Sequence, residues 1–392
     1  MSIDSQQVFT DDERELSAMV REFADEVIAP RSYEADRAHQ LPLDLVEQMG
    51  DLGLFGLPFP EEVGGQGGDY ASLCVAIEGV ARVDQSMAIT LEAGVGLGAM
   101  PIYRYGTDAQ KAEYLPDLVA GRALAGFGLT EAEAGSDAGA TRTTAKLEGG
   151  EWVIDGTKQF ITNSGTDITR FVTVTAVTGR TDAGRPEIST IIVPNGTPGF
   201  TVGPAYDKVG WNASDTHPLT FDGVRVPEAN LLGQRGHGFK NFLRTLDEGR
   251  VAIAALATGA AEGCLEAAVD YARSRTVFGE RLSTRQNMQF LLARMHARVH
   301  TARLAWVHAA RLCDAGKPFT VDAAVAKMTA SDAAMANARD ATQVFGGNGF
   351  INEYPVARHY RDSKILEIGE GTTEVQLMVI SRALGLTGTV AA

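Results

Sequence analysis

Residues 151–163, EWVIDGTKQFITN, decide how the rest of the chain is read. Apolar and polar residues alternate along it, the period of a half-buried strand. Asp155-Gly156 sits in its middle, and Asp-Gly between alternating residues is the strongest short-range hairpin signal. The spacing therefore predicts two short strands around that pair. RFVTVTAV (170–177), STIIVPN (189–195) and HPLTFDGVRVP (217–227) follow, all rich in β-branched residues. A compact β domain of six to eight strands, barrel-like or a sandwich, is expected over residues 125–236.

On both sides the period changes to that of helices. DDERELSAMVREFADEVIAP (11–30) carries Leu16, Val20, Phe23 and Val27 at helical spacing and is expected to stop at Pro30. LPLDLVEQMGDLGL (41–54) and YASLCVAIEGVARV (70–83) continue the pattern, with a loop marked by Pro58, Pro60 and GGQGG (64–68). Beyond residue 237 come RVAIAALATGAAEGCLEAAVDYARSR (250–275), TRQNMQFLLARMHARVHTARLAWVHAARLCDAG (284–316) and VDAAVAKMTASDAAMANARDATQVFGG (321–347). A last helix opens near Thr372, which completes a four-helix bundle. The expected fold class is α+β, mainly α: an N-terminal helical domain (1–124), a middle β domain (125–236) and a C-terminal four-helix bundle (237–392).

Bulk properties narrow the function classes. The chain has 392 residues, 44% hydrophobic and 22% charged, with a formal net charge of -15. Such acidity argues against nucleic acid or an anionic membrane as a whole-surface partner. Cys74, Cys264 and Cys313 fit neither a zinc spacing nor a disulfide framework. The acidic start, MSIDSQQVFTDDERE, lacks the apolar core of a secretory signal. The expectation is a bacterial cytoplasmic protein, or a mitochondrial matrix protein whose transit peptide is missing. VAIAALATGAA (251–261) is the least charged stretch and is too short to span a bilayer, so no membrane span is expected.

Several short stretches are candidates for chemistry, each with a plainer alternative. LTEAEAGSDAGATRTTA (129–145) lacks G-x-G-x-x-G and a Walker lysine. Its Thr130, Gly135, Ser136 and Thr141 can present hydroxyls and backbone N–H groups to a polar ligand, or form a surface turn. QVFGGNGF (343–350) has more glycine than a helix end requires. RSRTVFGERLSTRQ (273–286) holds Arg275, Phe278 and Gln286 at a helix corner, where an arginine suits a phosphate or simply faces solvent. In LDEGR (246–250), Asp247 and Arg250 share a helix face and form either an ordinary ion pair or part of a site. His296 and His300 have a metal-like i, i+4 spacing but no third ligand nearby, so no metal is expected. In EIGEGTTEVQ (367–376), Glu370 stands between Gly369 and Gly371, which let the backbone approach another molecule closely.

In order and spacing, GLTEAEAGSD (128–137), WVIDGTKQFITN (152–163), SDTHPLTFDGVRVPEANLLG (214–233), LDEGR, RSRTVFGERL (273–282), QVFGGNGF and GEGTTEVQ (369–376) resemble the acyl-CoA dehydrogenases over nearly the whole chain. The resemblance implies FAD between the β domain and the bundle, with a neighbouring subunit completing its site in a tetramer, a dimer of dimers. Phe127, Leu129 and Thr130 would line the flavin, Ser136 would contact FAD phosphate and lie near CoA, and Phe160 and Thr162 would pack beside the flavin near N5. Arg275, Phe278, Gln286, Gln343, Gly346 and Gly347 would reach a partner's FAD. Thr372 and Glu374 would bind its pyrophosphate and adenosine portion. Asp247, Arg250 and Gly371 would face substrate.

Glu370 matches the family's catalytic base, which removes the α-proton of an acyl thioester while the β-hydrogen leaves as hydride to flavin N5. The product would be a trans-2-enoyl-CoA, and electrons would pass to electron-transfer flavoprotein. Some members carry the base two residues after the aspartate of the LDEGR-like motif. Here that position is Gly249, which leaves Glu370 as the expected sole base. Gly369, Asn212 and His217-Pro218 also depart from common family residues. Residues 86–101, with Glu92 and Gly94, Gly96 and Gly98, would set the depth of the acyl pocket. An acyl-CoA oxidase using oxygen, a non-catalytic flavoprotein, and a flavin monooxygenase or nitroalkane oxidase are the alternatives on this fold.

Overall fold

Capping boxes open two helices in the first section of the computed structural model, which describes residues 7–386: Thr10 with Glu13, and Thr107 with Gln110. Residues 1–6 of the acidic N-terminal stretch lie outside the described residues. Asp69 and Asp84 are simple N-caps of the helices Tyr70–Ala81 and Gln85–Glu92, accepting from the N–H of Ser72 and from those of Ser86 and Met87. The first helix does not stop at Pro30. A π-helical turn, Ala24–Ile28, follows Asp11–Phe23, and the helix resumes as Ala29–Ala38 with proline in its first turn. The helix runs on through this point, with Ala29 N donating to Ala24 O, and the proline forfeits only the N–H it lacks.

The middle section holds β1 (Leu124–Gly128), β2 (Thr144–Glu148), β3 (Glu151–Thr162), β4 (Thr169–Arg180), β5 (Pro186–Pro194), β6 (Phe200–Val202), β7 (Thr216–Pro227) and β8 (Leu231–Leu232). They form one sheet in the order β6-β7-β3-β2-β4-β5-β8, with β1 parallel against β4. Trp152, Ile154, Leu219 and Phe221 from one half pack with Val172, Val174, Ile191 and Val193 from the other.

The expected hairpin at Asp155-Gly156 is absent. β3 runs unbroken against β7, and the pair is a bulge where the register shifts between Ile154 and Gly156. Gly156 lies at φ 151, and a Cβ there would come 2.4 Å from Thr143 Oγ1. The actual turn, between β2 and β3, is Gly149-Gly150, with φ 64 and 86. Positive φ at both central residues of this tight turn is met without strain by two glycines.

The bundle consists of Gly238–Ser274, Gln286–Asp314, Thr320–Phe345 and Thr373–Ala383. A further helix, Pro355–Ser363, was not legible in the periodicity. The fold is thus α+β and mainly α, as expected. The long helix starts well before residue 250. It is long and apolar enough by composition to cross a membrane, contrary to the reading of its 11-residue core, but 83% of its apolar window is buried in the protein. It is a core helix. It meets Tyr70–Ala81 backbone to backbone: a Cβ on Gly259 would lie 2.1 Å from Glu78 O, and one on Gly263 2.0 Å from Arg82 O. Beside this crossing, buried Arg303 pairs with Glu78 at 2.6 Å and Glu262 at 2.9 Å, while Trp306 Nε1 donates to Glu78 at 2.7 Å. Each partner satisfies another, which is the condition for burying charge without a large penalty.

Candidate active site

Glu370 lies between a 3₁₀ turn, Lys364–Glu367, and the last helix, whose cap Thr372 accepts from Val375 N. Glu370 has φ 54 and Gly371 φ 90. Left-handed geometry suits Gly371 but strains a glutamate by ~1–3 kcal/mol, so surrounding contacts must hold it. Lys327 Nζ and Gln376 Nε2 each donate to Gly371 O at 2.8 Å. The backbone at Glu370 is partly open, whereas its carboxylate end is enclosed: Oε2 is buried without a hydrogen-bond partner. Oε2 points at the long helix, and a Cβ on Gly249 would come within 2.6 Å of it. Burial pushes the Glu370 carboxyl up to about 7, with Arg250 and Lys327 opposing.

Arg250 donates to Asp247 Oδ1 at 2.6 Å, and Thr320 donates to Asp247 Oδ2 at 2.7 Å. The ion pair of LDEGR is therefore formed, and it brackets Gly249, the point where Glu370 meets the helix.

Gly249 does not leave Glu370 alone. Glu92, at the end of the Gln85–Glu92 helix, is 0% exposed, and neither carboxylate oxygen has a partner. The Cβ position on Gly249 that is 2.6 Å from Glu370 Oε2 is 3.7 Å from Glu92 Oε1. The two carboxyl groups face each other across the missing methyl. Burial raises the Glu92 carboxyl well above its usual range, and the charge of Glu370 raises it further. Glu92 stood in the stretch expected to set pocket depth, but its direction depends on the π-helical turn Ala93–Ala99 that follows, and periodicity does not reveal such a turn.

A second group surrounds the sheet edge. Phe127 on β1 stacks on Phe242 with ring centroids 5.6 Å apart. Gln159 N donates to Thr130 O at 2.8 Å, which brings the 127–130 segment against β3 just before Phe160. Phe160 sits at a second bulge with φ 60, 61% exposed and against Tyr206; Thr162 ends β3 opposite Thr216. Ser136 is exposed on the intervening loop. Lys158, which the sequence reading passed over, braces that loop. It is fully buried, bonds Leu129 O at 2.9 Å and Glu131 at 2.8 Å, and Glu131 also accepts from the N–H groups of Arg142 and Thr143.

The third group is elsewhere. Arg275 caps the far end of the long helix; Phe278 is 98% exposed at φ 48; Gln286 opens the next helix. Gln343, Gly346 and Gly347 join them through Phe345, which stacks on Tyr271 at 4.1 Å. From Gly249 to Arg275 the helix advances roughly 40 Å at 1.5 Å per residue. One cofactor beside Glu370 cannot reach both ends within one chain. Thr372 and exposed Glu374 remain with Glu370.

Among the departures, Asn212 donates to Asp36 at 3.0 Å, and His217 is held between Asp215 and Gly203 O, both at 2.7 Å. The hydrogen bond to Asp215 raises the His217 imidazole above its usual range. Both residues complete local hydrogen bonding around the loop before β7.

Family models for the N-terminal, middle and C-terminal domains of acyl-CoA dehydrogenase match residues 10–122, 126–224 and 236–385. A short-chain-specific acyl-CoA dehydrogenase of Megasphaera elsdenii is 44% identical over 380 residues, covering 96% of this chain and 98% of that protein. A chain from work on the electron transferring flavoprotein of Acidaminococcus fermentans and flavin-based electron bifurcation is 43% identical, with TM-score 0.91 over 98% of this chain and 99% of that one. A glutaryl-CoA dehydrogenase of Mycobacterium smegmatis in complex with FADH2 is 32% identical, with TM-score 0.93 over 99% and 98%.

Proposed function

The chain belongs to the acyl-CoA dehydrogenase family, and from that premise we propose that it oxidises a short acyl-CoA at Cα–Cβ with Glu370 as the α-proton base. The observation that carries this reading is the buried, unpartnered Oε2 of Glu370 against the long helix. An α-hydrogen beside a thioester is only weakly acidic, and a solvated carboxylate is a poor base for it. Burial raises the carboxyl to about 7, where a general base works best near neutral pH. Arg250 and Lys327 keep the shift from running higher, so a useful fraction stays ionised. The left-handed backbone at Glu370 and Gly371 leaves the Glu370 N–H free to stabilise a developing enolate.

The residues present fit FAD. Phe160 and Phe278 both hold left-handed geometry while 61% and 98% exposed, which suits large side chains presented to a bound ring. Phe127, Leu129, Thr130, Phe160 and Thr162 would hold the flavin ring, Ser136 a phosphate, and Thr372 and Glu374 the pyrophosphate and adenosine portion. Flavin bound there supplies the two-electron acceptor that the β-hydrogen requires. The distance along the long helix supports assigning Arg275, Phe278, Gln286, Gln343, Gly346 and Gly347 to a neighbour's FAD, in a homotetramer. Substrate would meet Asp247, Arg250 and Gly371. The likeness to the Acidaminococcus chain supports electron-transfer flavoprotein as the acceptor.

Glu370→Gln tests the base. Glutamine keeps the shape and backbone N–H, so an acyl-CoA should still perturb the flavin spectrum on binding. Anaerobic bleaching should slow by ~10²–10⁴. Bleaching at close to the wild-type rate places the base elsewhere.

A further inference from the structure

We propose that Glu92 is a specificity-determining residue: its carboxylic acid hydrogen-bonds a hydroxyl or carbonyl oxygen carried by the acyl chain beyond Cβ. The proposal rests on Glu370 as the base, because that fixes Cα beside Glu370 and leaves only more distal atoms for Glu92.

A fully buried carboxyl with both oxygens unpartnered is rare, because each unmade hydrogen bond costs free energy. Nothing in the folded chain offers Glu92 relief. The buried Tyr70 hydroxyl, on which the Glu92 charge acts, donates to Glu248 O at 2.8 Å instead. The space in front of Glu92 is kept open by glycine: a Cβ on Gly96 would lie 3.1 Å from Oε1, and Gly249 faces the same oxygen. The residue therefore looks into the volume that Glu370 also faces. An apolar chain entering there leaves both Glu92 oxygens unpartnered. A hydroxyl or carbonyl restores the bond. A distal carboxylate is disfavoured, since the charge acting on Glu92 is already the negative one of Glu370. Of the cations near Glu370, Arg250 Nη1 bonds Asp247 while its Nε is buried without a partner, and Lys327 bonds Gly371 O.

The experiment compares butyryl-CoA, 4-hydroxybutyryl-CoA and glutaryl-CoA with flavin-loaded wild type, Glu92→Gln and Glu92→Leu, reading kcat/KM and anaerobic bleaching. Wild type should favour the hydroxylated substrate over butyryl-CoA by at least ~10-fold, because a site built to bond a hydroxyl rejects an analogue without one. Glu92→Gln should retain that order. Glu92→Leu should reverse it and speed butyryl-CoA, and glutaryl-CoA should be poor throughout. A wild-type preference for butyryl-CoA, or a Glu92→Leu effect equal on both substrates, overturns the role of Glu92. Loss of bleaching with every acyl-CoA in wild type strikes the dehydrogenase reading instead.

Discussion

Gly249→Ala separates stability from chemistry at a single atom. The added Cβ would come 2.6 Å from Glu370 Oε2 and 3.2 Å from its carboxylate carbon, whereas ordinary contact begins at 3.4 Å. The helix backbone is fixed within the core, so the Glu370 carboxylate must retreat by ~1 Å. A misplacement of that size costs ~10²-fold in rate when reacting atoms must align. The helix itself gains ~1 kcal/mol from exchanging an interior glycine for alanine. The variant should therefore melt no lower than wild type, retain its flavin, and bleach ~10²-fold more slowly with the best acyl-CoA. Thermal melting and anaerobic stopped-flow on one preparation read all three. A stable, flavin-loaded variant that bleaches at the wild-type rate would refute the placement of Glu370 against this helix.

Bleaching should rise with pH through about 7, because protonated Glu370 cannot accept the α-proton. Lys327→Met should move the midpoint higher, since it removes a cation that favours the carboxylate; a lower midpoint contradicts the assignment. Arg275→Ala should reduce FAD content and assembly together, as judged by flavin-to-protein absorbance across a size-exclusion profile. Unchanged flavin content and unchanged mass count against a shared site.

The α+β division was legible because its signals are periodic: alternation through 170–177 and 189–195, helical spacing through 250–275. Asp155-Gly156 misled because a dipeptide reports turn chemistry, not whether the chain around it turns. Close packing on Thr143 claims Gly156 for a bulge, and Gly149-Gly150 makes the turn. Pro30 misled for a related reason, since a π-helical turn reset the register before it. Within the site, Glu370 was found through its flanking glycines and motif. Glu92 was placed only within the stretch expected to set pocket depth and Lys158 was given no role, because their importance comes from what they face across the fold: one a second carboxyl, the other a loop 27 residues away in sequence.

The backbone contact of the long helix with Tyr70–Ala81 bears on how this protein could acquire new substrates. With Gly259 and Gly263 seated on the carbonyls of Glu78 and Arg82, these two helices cannot be pried apart by side-chain growth elsewhere without losing the crossing. Evolvability is therefore concentrated in the short Glu92–Gly98 segment, where an added methyl would meet its nearest neighbour at 3.1 Å on Gly96 and 3.3 Å on Gly98, although Gly94 is closed to one by Phe55 at 2.7 Å. A mutational library confined to that segment should explore nearly all the chain-length and polarity variation this scaffold tolerates. Libraries spread along the crossing should mostly return unfolded protein.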